Sequence, residues 1–163
     1  MGTIIIGIGN PVLTDDSVGL KIADCLRERL RGWPGVAVTE LCCGGINLME
    51  AMAGYDRAII IDAMTGGGGR AGTVYEFGPS GLAQSRNTWS GHDASLQVAM
   101  ELGSTVGLRL PTHVQIWAVE ADDVCTFGEH LTPAVQRAVP LVVDSVVRDL
   151  ESGQPYFSGR TTT

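Results

Sequence analysis

Two short runs of β-branched residues without polar alternation, TIIIGI at 3–8 and RAIIID at 57–62, dominate the hydrophobic pattern of the chain. Strands covered by helices on both faces have no solvent side and therefore lack alternation, so both runs are expected to be central parallel strands. Between them Val18, Ile22, Leu26 and Leu30 place an apolar stripe along a helix from Asp16 to Leu30. Val36 to Leu41, after the Pro34-Gly35 break, is a further strand. Ile46 to Ala53 is a short helix, Gly66 to Gly69 a flexible loop, and Gly72 to Phe77 an alternating strand suited to a sheet edge. Asp93 to Gly103 reads as helix and His113 to Val119 as strand. Thr132 and Pro133 open a last helix in N-cap and N1 fashion, with Pro140 expected to kink it. The order βαβαββαβα predicts an α/β protein: a single three-layer α/β/α domain over 1–151, with a mostly parallel, twisted, five-stranded sheet and one antiparallel edge strand. The polar 152–163 segment, with its Gly and Pro, is expected to be a flexible C-terminal tail.

Composition narrows the partners. A chain of 163 residues that is 44% apolar has material for one substantial core, and its net charge of −7 opposes nucleic acids and anionic membranes. No stretch of about 18 apolar residues occurs, so membrane insertion is not expected. The four cysteines, Cys25, Cys42, Cys43 and Cys125, contain no C-x-x-C pair, and adjacent cysteines begin a disulfide framework poorly. They read as reduced thiols. With no basic, apolar leader before the first strand, the expectation is a cytoplasmic protein, monomeric by default.

The candidate chemistry sits where apolar runs end. In an open α/β sheet ligands bind at the carboxyl ends of the strands. Asp62 closes the RAIIID run, and Asp16 follows the first strand in GIGNPVLTDDSVG. His92 lies in the polar SGHD stretch, and a parallel sheet gathers all three at one edge. Two carboxylates and an imidazole suit a borderline divalent ion such as nickel or zinc with coordination positions left open. The alternative role for Asp15 or Asp16 is capping of the following helix, which one of the pair can do while leaving the other free. His113 and His130 rank below His92, the first because it opens a strand and the second because it sits in a loop before the last helix. The GIG opening is not a dinucleotide fingerprint, because the third glycine is replaced by Val12 and two acids stand where a pyrophosphate needs neutral amides.

Taken in order, G-x-G-N followed by D-D-x-x-G, IIIDA, G-T-V-Y-E-F, S-x-H and V-x-I-W-x-V-E resemble the hydrogenase maturation endopeptidases over about Ile4 to Leu150. The resemblance implies an endopeptidase that removes the C-terminal extension of a [NiFe]-hydrogenase large-subunit precursor. The nickel is contributed by the precursor and serves as the recognition element, and no permanently bound cofactor is expected. It implies Asp16, Asp62 and His92 as metal ligands and Asp16 or Asp62 as catalytic carboxylate, with metal-assisted and general-base hydrolysis both open. Many relatives carry Asp-Gly-Gly after the second strand, whereas this chain has Cys43-Gly44-Gly45. Those three residues and Met64 are candidate substrate-binding positions. Two rivals come from other classes: a non-catalytic nickel-binding chaperone or sensor with the same ligands, and a peptidyl-tRNA hydrolase, which also opens with G-x-G-N-P. The latter expects a histidine in the first motif and a basic surface, and this chain has neither.

Overall fold

A computed structural model describes residues 2–42, 46–78, 100–153 and 161–162. The strands are β1 (Thr3–Ile8), β2 (Val36–Leu41), β3 (Arg57–Met64), β4 (Val74–Phe77), β5 (His113–Glu120) and β6 (Thr161–Thr162). The helices are α1 (Val18–Arg29), α2 (Ile46–Met52), α3 (100–105) and α4 (Pro133–Ser152), with a 3-10 turn at Asp15–Ser17 leading into α1. The sheet order is β2-β1-β3-β5-β4-β6. β2, β1, β3 and β5 run parallel, and β4 is antiparallel to β5. The α/β class and mostly parallel sheet therefore stand as expected. One detail differs: β4 is not the outermost strand, because Thr161–Thr162 add a two-residue antiparallel rung to Val74 and Tyr75.

Period-two alternation divides the central strands between two cores. Ile5, Ile59, Ile61, Trp117 and Val119 face α1 and α4, where they meet Val18, Ile22, Leu26, Val135, Val142 and Val146. Ile4, Ile6, Ile8, Ala58, Ile60, Val114 and Ile116 face the other way, toward Leu48 and Met52 of α2 and Met100 of α3. Burial on both faces is why these strands carry unbroken apolar runs. α4 continues through Pro140 to Ser152 and ends at Gly153, whose φ of 63° is a left-handed cap.

α1 approaches the sheet backbone to backbone. A Cβ on Gly19 would lie 2.3 Å from the Ile8 carbonyl oxygen and 2.4 Å from that of Ile61. A Cβ on Gly7 would lie 2.3 Å from the Gly19 carbonyl, and one on Gly9 would lie 2.1 Å from the Asp16 carbonyl. No side chain fits at these contacts, so the turn into α1 is held directly on the carboxyl ends of β1 and β3.

The opposite edge is tied by ordinary electrostatics. The Gly2 N–H donates to Asp56 Oδ2 at 2.7 Å, and Arg109 pairs with the other carboxylate oxygen. Arg57 donates to Gln115 Oε1 at 2.7 Å and pairs with Asp149, while Gln115 Nε2 donates to Glu76 Oε1 at 2.9 Å under α4. The Gly2 N–H, followed by Arg109, holds the Asp56 carboxyl below its ordinary value.

Two measurements test this description. Gly19→Ala should destabilise the protein by about 2–3 kcal/mol, because backbone atoms must move to admit the methyl group, read as a lower urea midpoint at unchanged slope. A depressed carboxyl stabilises the fold above its unfolded pKa and loses that contribution as pH falls through the folded one. The stability gap between wild type and Asp56→Asn should therefore be full near neutrality and close below roughly pH 4.

Candidate active site at the carboxyl edge

Parallel pairing of β1, β3 and β5 brings the chain segments after Ile8, Met64 and Glu120 to one edge. Asn10 turns the first of them, its Oδ1 accepting from the Val12 N–H at 3.2 Å. The Asp15–Ser17 turn follows, packed on Gly9 and β3.

The two adjacent aspartates are used in different ways. Asp15 is 0% exposed, and its carboxylate takes up four donors: Asp122 N and Asp123 N at 3.0 Å each, Thr132 N at 2.7 Å and Thr132 Oγ1 at 2.9 Å. The Asp15 N–H also donates to the Asp123 carbonyl at 2.9 Å. Asp15 thus fastens the first loop to the loop after β5 and to the start of α4. It is a cap, as one of the pair was expected to be, but for α4 rather than for the helix it precedes. Thr132 is the N-cap residue of α4 in extended conformation and makes no cap bond to its own helix, since its hydroxyl is spent on Asp15.

Asp16 is 8% exposed, and its carboxylate makes no hydrogen bond or ion pair among the described residues. Neither Asp16 oxygen is among the fully buried side-chain atoms that lack a partner, so the carboxylate stays open at the edge. Asp62, 2% exposed, accepts from the Ala63 N–H at 2.8 Å through Oδ1. By alternation it lies on the α2 and α3 face of β3, the face shared with Ile60 and Met64. Met64 is buried with Tyr75 and Ala118. His92, Cys43, Gly44 and Gly45 lie outside the described residues. Among the described residues no group of three or more His, Cys, Asp or Glu side chains is arranged to hold a metal ion. Of the expected ligands, the described part of the carboxyl edge carries Asp16 and Asp62. His113 lies at the opposite edge, opening β5, and His130 is exposed in the loop before α4.

Glu120 was not singled out by the sequence, although it ends an apolar strand in an acid just as Asp62 does. It is nearly buried and paired in register with Met64. Its Oε1 accepts from Gly66 N at 2.7 Å and its Oε2 from Gly67 N at 3.0 Å, while Gly69 N donates to the Tyr75 hydroxyl at 2.8 Å. The glycine loop expected to be flexible is thus anchored at three amides. Burial, and then the Glu120 charge beside it, push the Tyr75 phenol above its ordinary pKa. The three cysteines that are described, Cys25, Cys42 and Cys125, are free and exposed.

With this geometry in place, comparison with known proteins is decisive. The family model described as HycI, hydrogenase maturation protease, matches residues 20–149. The chain belongs to the hydrogenase maturation protease family. Endopeptidase, the enzyme class read from the sequence, is the class of that family. Hydrogenase 2 maturation protease of Escherichia coli (strain K12) is 31% identical over 74 residues, and that match spans 45% of this chain and 45% of the relative, less than half of either. The hydrogenase maturating endopeptidase HybD from E. coli shares the fold with a TM-score of 0.81, at 23% identity over 94% of each chain. The [NiFe] hydrogenase maturation protease HybD from Thermococcus kodakarensis does so with a TM-score of 0.71, at 22% identity over 91% of this chain and 98% of that one. The family match contains Asp62 and begins after the Asp15-Asp16 pair.

The contrast between the two aspartates is testable by chemical denaturation. Asp15→Ala strands four donors and should cost about 3 kcal/mol or more. Asp16→Ala removes a desolvated charge without a described partner and should leave stability unchanged or slightly raised, within about 0.5 kcal/mol of wild type or above it. Equal losses in both variants would mean that Asp16 is structural.

Proposed function

We propose that this protein is an endopeptidase that removes the C-terminal extension of a [NiFe]-hydrogenase large-subunit precursor, and that it selects precursor already loaded with nickel. Membership of the hydrogenase maturation proteases supports the reaction class. The observation that carries the site assignment is the nearly buried carboxylate of Asp16, without a partner among the described residues, at the sheet edge that also holds Asp62. The absence of a helix long and apolar enough to cross a membrane, among the described residues, is compatible with a precursor met in solution.

In this reading Asp16, Asp62 and His92 donate to nickel that arrives with the precursor, and they leave its remaining positions to the precursor's own ligands. The ion is part of the substrate. Hard oxygen donors together with one imidazole complete such a shell without extracting the metal, so precursor lacking nickel has no anchor. Asp16, whose oxygens meet no donor among the described residues, is open to accept a proton from an attacking water. Asp62, with one oxygen held by the Ala63 N–H, has a more fixed orientation. Cys43, Gly44, Gly45 and Met64 are the proposed substrate-contacting positions beside this edge.

The test is incubation of the purified protein with cognate precursor, with and without nickel, followed by mass spectrometry of the large subunit. Loss of the C-terminal extension only from the nickel-loaded form is expected. Asp16→Ala, Asp62→Ala and His92→Ala should each lower the cleavage rate by at least about a hundredfold while remaining folded. Cleavage irrespective of nickel would remove the recognition role, and an intact precursor in both samples would leave a non-catalytic metal-binding protein.

A further inference from the structure

The carboxyl edge carries a second feature that neither the cores nor the carboxylates account for. Val12 is 52% exposed and Phe127 is 81% exposed, yet the two segments bearing them are cross-linked. Leu13 and Phe127 form an isolated antiparallel bridge. Gly128 N donates to the Val12 carbonyl at 3.1 Å, and Thr14 N and Oγ1 donate to the Thr126 carbonyl at 3.1 and 2.7 Å. Asp123 Oδ1 turns the loop by accepting from Cys125 N and Thr126 N at 2.9 Å each. The root of the whole arrangement is Asp15. Single exposed apolar side chains are ordinary on protein surfaces. Here a phenyl ring and a valine are instead held outward on one ordered rung, and Leu13 of that rung precedes Asp16 by only three residues.

We propose that the rung joining Leu13 and Phe127, with Val12 beside it, is the docking surface for the polypeptide substrate, where an extended precursor segment lays an apolar side chain with a basic neighbour against the exposed Phe127 ring. This rests on the endopeptidase reading above. A flexible peptide loses conformational freedom when it is drawn across a reacting site, and an apolar anchor on a rigid neighbouring element offsets that loss. Asp122 and Glu129 are exposed on the same loop. Hydrogen bonds from the Thr126 side chain, and then from the Thr126 and Cys125 amides, hold the Asp123 carboxyl below its ordinary value. The ring is therefore bordered by negative charge, which favours a basic flank on the peptide and disfavours nucleic acid or an anionic membrane.

Steady-state cleavage of nickel-loaded precursor by the full chain tests this. Phe127→Ala should raise KM roughly tenfold while kcat stays within about twofold, since the ring contributes to binding and not to the reacting groups. Phe127→Leu should recover most of the loss, and raising the salt concentration should raise KM for wild type. Leu141→Ala, which trims an exposed apolar residue on α4, should change neither constant. Wild-type cleavage with KM unchanged in Phe127→Ala overturns the docking surface and leaves the proposed function standing. If instead Phe127→Ala abolishes a dimer seen by sedimentation and KM is unchanged, the rung is a contact between copies and the proposal is equally overturned. Should wild type not cleave at all, the proposed function falls. Anisotropy of a labelled peptide from the precursor C-terminus then decides the rung alone: weaker binding by Phe127→Ala supports it, and equal binding overturns it.

Discussion

The backbone contact between α1 and the ends of β1 and β3 is the constraint on which the carboxyl edge depends. Gly19 touches the carbonyls of Ile8 and Ile61, and Gly9 touches that of Asp16, at separations that exclude any side chain. A helix held this close cannot slide along the strands. The turn before it, Asp15–Ser17, is therefore placed over the β1 and β3 ends with little latitude, and one of its aspartates is directed into the protein. Glycine at 7, 9 and 19 thus serves close approach rather than flexibility.

Four acids at this edge show how burial assigns roles. Asp15 and Glu120 are satisfied by amides, four donors in one case and the glycine-loop amides in the other, and each ties together segments distant in sequence. Such carboxylates have little capacity left for a ligand. Asp62 gives one oxygen to its neighbour's amide, and Asp16 gives none to any described donor. Burial affects all four, and Asp15, Glu120 and Asp62 each meet donors from the protein. No described donor reaches Asp16, which leaves its carboxylate open at the edge.

The bonds that support the edge connect residues far apart in sequence. The place of Asp62 was legible because it ends an unbroken apolar strand, which puts it at the carboxyl edge of the sheet. Glu120 presented the same signal in VQIWAVE and was passed over, because its length lets it reach back to loop amides that no local pattern announces. The anchoring of Gly66 to Gly69 was invisible for the same reason: glycine composition reports conformational freedom, while the Glu120 and Tyr75 bonds that remove it span six to 54 residues. The rung formed by Leu13 and Phe127 joins segments 114 residues apart in the chain (127 − 13 = 114).

The sequence by itself determined the α/β architecture, the parallel central strands and the edge to which Asp16 and Asp62 are brought. Those follow from periodicity, strand ends and glycine placement, which are local properties of the chain. Asp16 was already preferred over Asp15 as the candidate ligand through the resemblance; only the tertiary structure showed that Asp15 is a fastener and what it fastens. Two neighbouring aspartates have the same intrinsic chemistry; the donors that meet one and miss the other come from Asp122, Asp123 and Thr132, more than a hundred residues away, and are brought there by pairing β5 with β3 and packing α4 against α1.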